Sequence, residues 1–333
     1  MNFSLIVCTY QRPQAIIKLL ESVQKQVLYP NEIIIVDGSK DEATQNVLRT
    51  SEFLNVTYFK VKNRDRGLTK QRNFGISKVS ENIEVVCFLD DDTELKKDYF
   101  KEIIKTYQFN KDVIGVGGVS VNENRWQKKQ RSKTYNKFKY YQLDGYVVKE
   151  GLRNVLRNYL GLQSNLLPGK MPNFSHGRTN GYPLNNKIYE VDLLIGMSFS
   201  FRKSVFEYIK FSHYFEGYGL YEDADFCIRA LKYGKNVINT AAKLDHYHDE
   251  SGRPNKYKYG KMVVINGWYV WRTKYPNPSL KARFKWNVII LLLMMIRFVN
   301  IFTTKNRKEA FTEALGRIIG LVSLIFNKPL VQR

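Results

Sequence analysis

Three consecutive aspartates, Asp90, Asp91 and Asp92, follow directly after an apolar run at residues 85–89. Carboxylates this close raise one another's pKa and destabilise a fold unless a cation neutralises them. Mg²⁺ and Mn²⁺ both prefer oxygen ligands, and Mg²⁺ commonly binds one or two carboxylates together with a substrate phosphate. The triplet therefore indicates either a divalent-metal site or a polar cap on the end of a buried strand.

A second pair of acids, Glu222 and Asp223, lies between the glycine-containing segment 217–221 and a stretch with helical spacing. Acids at a helix N-terminus are favoured by the helix macrodipole, so the pair could be a cap. A carboxylate there could also act as a general base that takes a proton from an incoming hydroxyl, if it faces the metal site. The residues alone leave both interpretations open.

The first third of the chain alternates strand-length apolar runs with segments of helical spacing, which indicates a βαβ arrangement. The predicted strands cover residues 3–8, 33–36, 56–61, 84–89 and 113–121. Their continuously apolar character predicts a parallel sheet that is buried on both faces. Ligands of such sheets bind beyond the carboxyl ends of the strands. We therefore expect Thr9, Tyr10, Asp37 and the aspartate triplet to meet at one edge.

The net charge of +22 is concentrated in two segments. Residues 125–158 and residues 281–333 each carry 10 basic and 2 acidic side chains, whereas residues 1–124 carry 17 of each sign. This pattern favours directed contact with an anionic surface over a uniformly basic nucleic-acid binder. Lysines and aromatics interleave at residues 135–141, but no nucleic-acid recognition motif accompanies them. We expect no nucleic-acid partner.

Two further features bear on the compartment. Cys8, Cys87 and Cys227 lie in apolar or helical contexts without a Cys-x-x-Cys spacing, which predicts small core residues in a reducing environment. The first residues do not have the basic and apolar regions of a secretory signal. We therefore expect a cytoplasmic protein.

The C-terminal segment, residues 281–333, combines apolar runs with flanking lysines and arginines. Residues 288–296 are unbroken apolar, and the wider stretch falls short of the about 20 residues that a spanning helix needs. This pattern favours apolar or amphipathic helices that lie on an anionic membrane surface. A spanning helix or hairpin, and ordinary core helices, remain alternatives. We expect peripheral association with the inner face of the cell membrane.

Six segments, taken in chain order, resemble the motifs of glycosyltransferase family 2. They are residues 6–10, 35–39, 67–75, 88–93, 196–202 and 221–223. The resemblance implies the GT-A fold, an α/β architecture with a Rossmann-like, mostly parallel central sheet flanked by helices, followed here by the C-terminal apolar helices. It also implies a catalytic domain at 1–280, with a nucleotide-sugar-binding half at 1–124 and an acceptor-binding half at 125–280, ahead of the membrane-associating segment 281–333.

The same resemblance implies roles for individual residues. Thr9, Tyr10, Asp37, Arg72, Asp90 and Asp91 would bind a nucleotide-sugar donor, for which we expect a UDP-sugar. Asp90, Asp92 and His246 would hold Mn²⁺ or Mg²⁺, with His246 fitting the family position better than His248. Gly196 and Glu222 would contact the acceptor. Asp223 would deprotonate the acceptor hydroxyl for a single displacement with inversion, as the base of an inverting glycosidase does with water.

The implied reaction is the transfer of a sugar to a hydroxyl of a saccharide acceptor, which could be linked to a polyprenyl diphosphate, in surface polysaccharide synthesis. The family's processive members carry a Gln-x-x-Arg-Trp motif that this sequence does not have, so we do not expect processive synthesis. Two alternatives remain. A non-catalytic sugar- or membrane-binding protein would not need both carboxylate sites, and a sugar nucleotidyltransferase would normally carry a glycine-rich loop where residues 8–12 stand.

Overall fold

A computed structural model describes residues 1–179, 181–248 and 254–332. The strands are β1 (Phe3–Thr9), β2 (Glu32–Asp37), β3 (Val56–Lys60), β4 (Val85–Asp90), β5 (Thr93–Leu95), β6 (Val113–Ser120), β7 (Gln127–Lys128), β8 (Tyr140–Leu143), β9 (Tyr146–Lys149), β10 (Ile188–Val191), β11 (Ser198–Arg202) and β12 (Lys235–His246). The helices are α1 (Pro13–Gln24), α2 (Ala43–Arg49), α3 (Leu68–Ile76), α4 (Tyr99–Phe109), α5 (Leu152–Tyr159), α6 (Val205–Tyr208), α7 (Glu222–Ala230), α8 (Lys256–Lys274), α9 (Leu280–Thr303) and α10 (Arg307–Phe326).

Packing divides the chain into two compact units, each built from two separate stretches. Unit 1 comprises Met1–Asn124 and Leu184–Arg253, and unit 2 comprises Arg125–Pro183 and Pro254–Arg333. Residues 125–183 therefore group with the C-terminal helices rather than with the rest of the predicted acceptor half. The functional boundaries expected from the sequence stay a prediction.

Unit 1 is built on one sheet, which has nine strands within the described residues. The strand order is β10-β12-β6-β11-β4-β1-β2-β3, and β5 pairs with β12. Strands β3, β2, β1, β4, β6 and β12 run in one direction, and β11, β10 and β5 run against them. The prediction of an α/β fold with a mostly parallel central sheet is confirmed.

The strands form where the sequence is continuously apolar because both faces of this sheet are covered. In β1, Leu5 and Val7 pack in a core with Leu19 of α1 and Ile103 of α4, whereas the intervening Ile6 faces the other side. All of these side chains are buried. Burying one aliphatic side chain of this size contributes about 1.5–3 kcal/mol, so the two covered faces hold the central strands in place. Of the cysteines, Cys87 and Cys227 are buried and Cys8 is half-buried, all as free thiols.

The register of the central strands places their carboxyl ends at the same level. Cys8 pairs with Val36 on one side and with Asp90 on the other, and Thr9 pairs with Asp37. Polar residues that follow three different strands are thereby collected at one edge of the sheet, as open α/β sheets require for ligand binding.

Unit 2 contains the antiparallel sheet β7-β9-β8, helix α5 and the three C-terminal helices. Helix α10 packs on α8 with its backbone in close contact, because a Cβ on Gly316 would lie only 2.1 Å from the carbonyl oxygen of Tyr257. The indole rings of Trp271 on α8 and Trp286 on α9 stack at 4.4 Å. The Trp271 Nε1–H also donates to the carbonyl oxygen of Asn173, at 2.8 Å, which ties the two stretches of unit 2 together.

Helix α9 is longer than the apolar run from which it was predicted. Its 24 residues are long and apolar enough to cross a membrane by length and composition, and 17% of its most apolar window is buried. Large apolar side chains of α9 and α10 are exposed, namely Met295, Phe298, Val299, Phe302, Phe311, Ile325 and Phe326. The prediction of apolar helices at the C-terminus is confirmed, and their relation to a membrane stays a prediction.

Candidate active site

The three aspartates of the triplet have different surroundings. Asp91 is buried, and both of its carboxylate oxygens accept bonds within the chain. The Thr9 hydroxyl donates to Oδ2 at 2.6 Å, and Arg12 Nη1 donates to Oδ1 at 2.9 Å. Burial raises the pKa of Asp91 to about 6, against the opposing effects of Arg12 and Thr9. Asp91 therefore fixes the turn after β4 to the end of β1, and its predicted contact with the donor stays a prediction.

Asp90 and Asp92 lie together with His246, with one ligand atom of each within 4.8 Å of the others. His246 reaches the triplet because β12 pairs with β5, which sets His246 opposite Thr93. The His246 Nε2 atom lies 3.4 Å from Asp92 Oδ1. Burial alone would lower the pKa of His246, but the hydrogen bond and charge of Asp92 outweigh it, so the pKa is raised.

This group fits a divalent cation. Two carboxylates and an imidazole offer oxygen and nitrogen ligands in one cluster, and the side chain of Asp90 keeps 37% of its surface exposed, so a bound ion could still reach a ligand. Glu123 lies on the other side of the ring, with its Oε2 atom 3.4 Å from His246 Nδ1. A carboxylate in that position orients a ligating histidine.

Arg72 lies at the centre of the remaining acids. Its Nη1 atom contacts Glu222 Oε1, and its Nη2 atom lies 3.7 Å from Asp90 Oδ1 and 3.4 Å from the carbonyl oxygen of Gly196. The guanidinium also stacks over the ring of Phe199, 4.7 Å from its centroid. Arg72 is almost fully buried, and its single positive charge is shared between two carboxylates.

A glycine allows α3 to bring Arg72 to this position. Gly67 precedes α3 with a φ of 118°, which other residues rarely adopt, and a Cβ there would lie 3.0 Å from the backbone nitrogen of Gly217. The Leu68 N–H then donates to the Gly217 carbonyl oxygen at 3.2 Å. The start of α3 is thus bonded to the loop that leads into α7.

Glu222 and Asp223 begin α7 and point to different partners. Asp223 Oδ2 accepts from the Gly196 N–H at 2.9 Å, and Oδ1 accepts from the Ala224 N–H at 2.8 Å. Burial raises the pKa of Asp223, although these two N–H groups oppose the shift. Burial likewise raises the pKa of Glu222 to about 8 against the opposing charge of Arg72, and its Oε2 atom has no hydrogen-bond partner among the described residues.

Asp37 lies at the end of β2 and is fully buried. Its Oδ1 accepts from the Ser39 N–H at 2.7 Å, and its Oδ2 accepts from the Tyr58 hydroxyl at 2.8 Å. Tyr10 follows β1 directly and is partly buried at the same edge. The amide of Gln71 donates to the carbonyl oxygens of Thr9 and Val36, which holds the ends of β1 and β2 together.

The structure therefore brings the predicted residues together in linked groups. Arg72 joins Asp90, Gly196 and Glu222, and Asp223 bonds to Gly196. Sequence reasoning missed the supporting residues Arg12, Tyr58, Gln71 and Glu123. Arg12 and Gln71 lie inside or next to recognised motifs and could have been singled out for that reason, whereas Tyr58 and Glu123 carry no sequence signal.

Comparisons with known proteins agree with this arrangement. Residues 4–163 match the family described as "Glycosyl transferase family 2". The chain is 28% identical to the glucosyl-dolichyl phosphate glucuronosyltransferase of Haloferax volcanii, over 36% of this chain and 39% of that protein. It is 33% identical to the GalNAc(5)-diNAcBac-PP-undecaprenol beta-1,3-glucosyltransferase of Campylobacter jejuni, over 28% of this chain and 30% of that protein. The matches thus span less than half the length of these curated relatives.

Among solved structures, the chain resembles the mannosyltransferase PcManGT from Pyrobaculum calidifontis, which was determined in complex with GDP-Man and Mn²⁺. The TM-score is 0.56 with 14% identity, over 98% of this chain and 88% of that chain. At this identity the likeness shows the fold alone. The family match identifies residues 4–163 with glycosyltransferase family 2, and the likeness to the solved structure supports the GT-A fold.

Proposed function

We propose that this protein transfers a sugar from a nucleotide-diphosphate sugar to a hydroxyl of a saccharide acceptor, with inversion at the anomeric carbon. The observation that carries the proposal is the convergence, at one edge of the sheet, of two carboxylates beside a histidine with a half-buried carboxylate whose pKa is raised. The first group, Asp90 and Asp92 with His246, suits a divalent cation. The second, Asp223, suits a general base.

Asp90, Asp92 and His246 would hold Mn²⁺ or Mg²⁺. When bound, such an ion stabilises the negative charge that develops on a leaving nucleoside diphosphate. Thr9, Tyr10 and Asp37 would bind the nucleoside part of the donor at the ends of β1 and β2. Arg72 keeps Glu222 and Asp90 from repelling one another and adds a fixed positive charge on the donor side of the site.

Asp223 would take the proton from the acceptor hydroxyl. The hydroxyl oxygen forms its bond to the anomeric carbon as the bond to the diphosphate breaks, and the proton passes to a free lone pair of Asp223. The Gly196 N–H holds Asp223 Oδ2 in one orientation, so the carboxylate does not have to reorganise during the reaction. A base with a pKa raised toward neutrality is better matched to a hydroxyl than an ordinary aspartate.

A donor screen tests the proposal. UDP-, GDP- and dTDP-sugars are incubated with the protein and Mn²⁺ or Mg²⁺, and release of the nucleoside diphosphate is measured. We expect one nucleotide class to be hydrolysed, with a UDP-sugar as the leading candidate, and hydrolysis to stop on addition of EDTA. Asp92→Asn should abolish the metal stimulation, whereas Glu81→Gln, an exposed acid of the same unit, should not. Absence of release from every donor, or unchanged release in Asp92→Asn, would favour a non-catalytic binding protein.

We further propose that the protein works at the anionic inner face of the cell membrane on a lipid-linked acceptor. The names of both relatives describe lipid-linked substrates. In this chain, α9 and α10 expose apolar side chains, and unit 2 also carries the exposed cations Lys128, Lys129, Arg131 and Lys133. Apolar faces combined with basic residues bind anionic lipid surfaces.

Vesicle sedimentation tests the membrane proposal. We expect the protein to sediment with vesicles that contain phosphatidylserine and to do so less with pure phosphatidylcholine. The double substitution Phe298→Ser and Phe302→Ser should release it, because both side chains are exposed on α9. Phe109→Ser removes a phenylalanine of unit 1 that is even more exposed than these two, and it should have no effect. Equal binding of all variants would contradict a role for α9.

A further inference from the structure

A second cluster of metal-ligand atoms lies beside the proposed cation site, and it includes His248, which has no part in the proposed reaction. Glu123, His246 and His248 each offer one ligand atom, and these atoms lie within 4.8 Å of one another. The cluster shares His246 with the group that contains Asp90 and Asp92. The two groups differ in chemistry, because one offers two carboxylates and one imidazole, whereas the other offers one carboxylate and two imidazoles.

The backbone at the end of β12 holds this second cluster together. The side-chain oxygen of Asn122 accepts from the His246 N–H at 3.0 Å, and the Asn122 amide donates to the His246 carbonyl oxygen at 2.8 Å. The next residue, Glu123, is thereby placed against both histidine rings. Its Oε2 atom lies 3.4 Å from His246 Nδ1, and its Oε1 atom contacts His248 Nε2. The two imidazole rings lie beside one another, with centroids 4.0 Å apart.

The ligand types of this cluster suit Zn²⁺. Two imidazoles and a carboxylate hold zinc in several metalloenzymes, and a site of this kind generally binds Zn²⁺ more tightly than Mn²⁺. Ligand atoms about 2.0–2.1 Å from one tetrahedral ion lie about 3.3 Å apart, which is close to the 3.4 Å between His246 Nδ1 and Glu123 Oε2. Glu123 and His248 are exposed, so an ion can reach the cluster from solvent.

The ring of His246 can serve only one of the two groups at a time. Its Nε2 atom faces Asp92 Oδ1 at 3.4 Å, and its Nδ1 atom faces Glu123. A neutral imidazole has a lone pair on one ring nitrogen and a proton on the other. An ion beside Asp90 and Asp92 uses the lone pair on Nε2, which leaves the Nδ1 proton to bond with Glu123. An ion beside Glu123 and His248 uses the lone pair on Nδ1, which leaves the proton on Nε2.

We propose that Glu123, His246 and His248 form a Zn²⁺ site whose occupation withdraws His246 from the cation of the proposed reaction. Zn²⁺ then competes with Mn²⁺ or Mg²⁺ through the shared histidine, and it inhibits sugar transfer by removing a ligand from the reacting centre. The inhibition rests on the proposed function, whereas the binding of Zn²⁺ does not.

Metal binding by the full chain tests the site directly. Zn²⁺ affinity is measured by competition with a chromophoric chelator, and Mn²⁺ binding is measured from the EPR signal of the free ion. We expect Zn²⁺ to displace Mn²⁺ from the wild type. His248→Asn should weaken Zn²⁺ binding by about tenfold or more and leave Mn²⁺ binding within about twofold of wild type. Asparagine is chosen because it tolerates the φ of 54° at this position.

Two further variants complete the test. Asp92→Asn should have the opposite effect to His248→Asn, with weaker Mn²⁺ binding and nearly unchanged Zn²⁺ binding. His213→Asn is the control, because His213 is an exposed histidine whose Nδ1 atom lies 3.0 Å from a carboxylate oxygen of Glu216. This substitution should change the binding of neither ion.

The outcomes separate the zinc site from the proposed reaction. No binding of Zn²⁺ by the wild type, equal Zn²⁺ affinity in wild type and His248→Asn, or Zn²⁺ binding that leaves Mn²⁺ in place would overturn the site. Donor hydrolysis with Mn²⁺, measured on the same samples, should fall on addition of Zn²⁺ in the wild type and fall less in His248→Asn. Zn²⁺ binding that depends on His248, without hydrolysis of any donor, would overturn the proposed reaction and leave the zinc site standing.

Discussion

Both units bury charged side chains, but the balance of charge differs between them. In unit 1, the single cation Arg72 faces Glu222 and Asp90, and Asp223 lies beside them. In unit 2, the buried carboxylate of Glu313 is paired with two cations, Arg317 at 2.7 Å and Arg297 at 3.0 Å.

We infer from this difference that the charges around Glu313 stabilise the fold, whereas those around Arg72 serve the proposed reaction. A buried carboxylate whose partners already surround it has no capacity for a ligand, and removing it leaves uncompensated buried cations. Excess negative charge beside a single cation destabilises the fold unless a ligand cation or a proton joins it. Unit 1 therefore has a less stable arrangement of charge at the place where the proposed reaction needs a metal ion and a transferable proton.

The largest effect is expected from Asp223→Asn. The substitution keeps the shape of the side chain and an oxygen to accept from the Gly196 N–H, but it removes the base. Sugar transfer should fall by about 10²–10⁴-fold. The free energy of unfolding should fall by no more than about 1–3 kcal/mol, because the amide oxygen can accept from only one of the Gly196 and Ala224 N–H groups. Steady-state transfer kinetics and urea unfolding measure the two quantities. Transfer within tenfold of wild type would assign the base to another group.

The opposite result is expected in unit 2 from Glu313→Gln. Removing this carboxylate leaves Arg317 and Arg297 without their partner, so the free energy of unfolding should fall by about 3 kcal/mol. Donor hydrolysis below the unfolding temperature should be unaffected. Glu309→Gln, one turn earlier on the same helix and exposed, is the control and should cost less than about 1 kcal/mol. Equal losses in the two variants would show that Glu313 is not a stabilising centre.

A smaller effect should appear as a pH dependence. The pKa of Glu222 is raised from 4.5 to about 8 in the folded protein, so the folded protein holds this proton more tightly than the unfolded chain does. The resulting stabilisation is fully present below the unfolded pKa and is lost as the pH rises through the folded pKa. Glu222→Gln resembles the protonated form. The difference between the melting temperatures of Glu222→Gln and wild type should therefore increase by a few °C as the pH rises from about 5 to about 9. This corresponds to a difference in the free energy of unfolding on the order of 1 kcal/mol or more.

Thermal melting across this pH range checks the sign. A difference between Glu222→Gln and wild type that does not change with pH would mean that Glu222 is ionised throughout and fully paired with Arg72. In that case Glu222 of unit 1 would be neutralised by an arginine, as Glu313 of unit 2 is, and the two units would not differ in this respect.

The smallest effect is expected from an ion pair that belongs to neither buried group. Asp112 and Lys235 lie 2.9 Å apart with both side chains more than half exposed. Asp112→Asn should leave the free energy of unfolding close to that of wild type, because an exposed ion pair contributes little. Urea unfolding in low and high salt measures the free energy of unfolding. A large loss of stability that does not depend on salt would show that the exposure of a charged side chain does not predict its contribution to stability in this protein.

The sequence was sufficient to predict the central strands and the edge of the sheet at which Thr9, Asp37 and the triplet meet, because continuous apolar runs and strand ends are local features. It did not reveal that β11 runs antiparallel between β4 and β6, or that β12 carries His246 back to the triplet. These pairings depend on contacts between residues more than 80 positions apart. Periodicity carries no information about such partners.

The triplet shows the same limit on a smaller scale. Adjacency suggested one shared role, but the turn directs Asp91 toward Thr9 and Arg12 and leaves Asp90 and Asp92 near His246. The partner of each side chain is set by the turn geometry and by residues from other strands. Glu123 could be recognised only once those strands were placed.

The discontinuity of unit 2 has a consequence for how the protein is made and dissected. Residues 125–183 leave the ribosome well before the helices on which they pack, so this unit can close only after Trp271 and Trp286 have been made. Until then residues 125–183 do not have the helices on which they pack, although the two stretches of unit 1 on either side of them can already fold together. A truncated chain that ends before α9 could not complete this unit, so membrane binding is better tested by point substitution than by deletion.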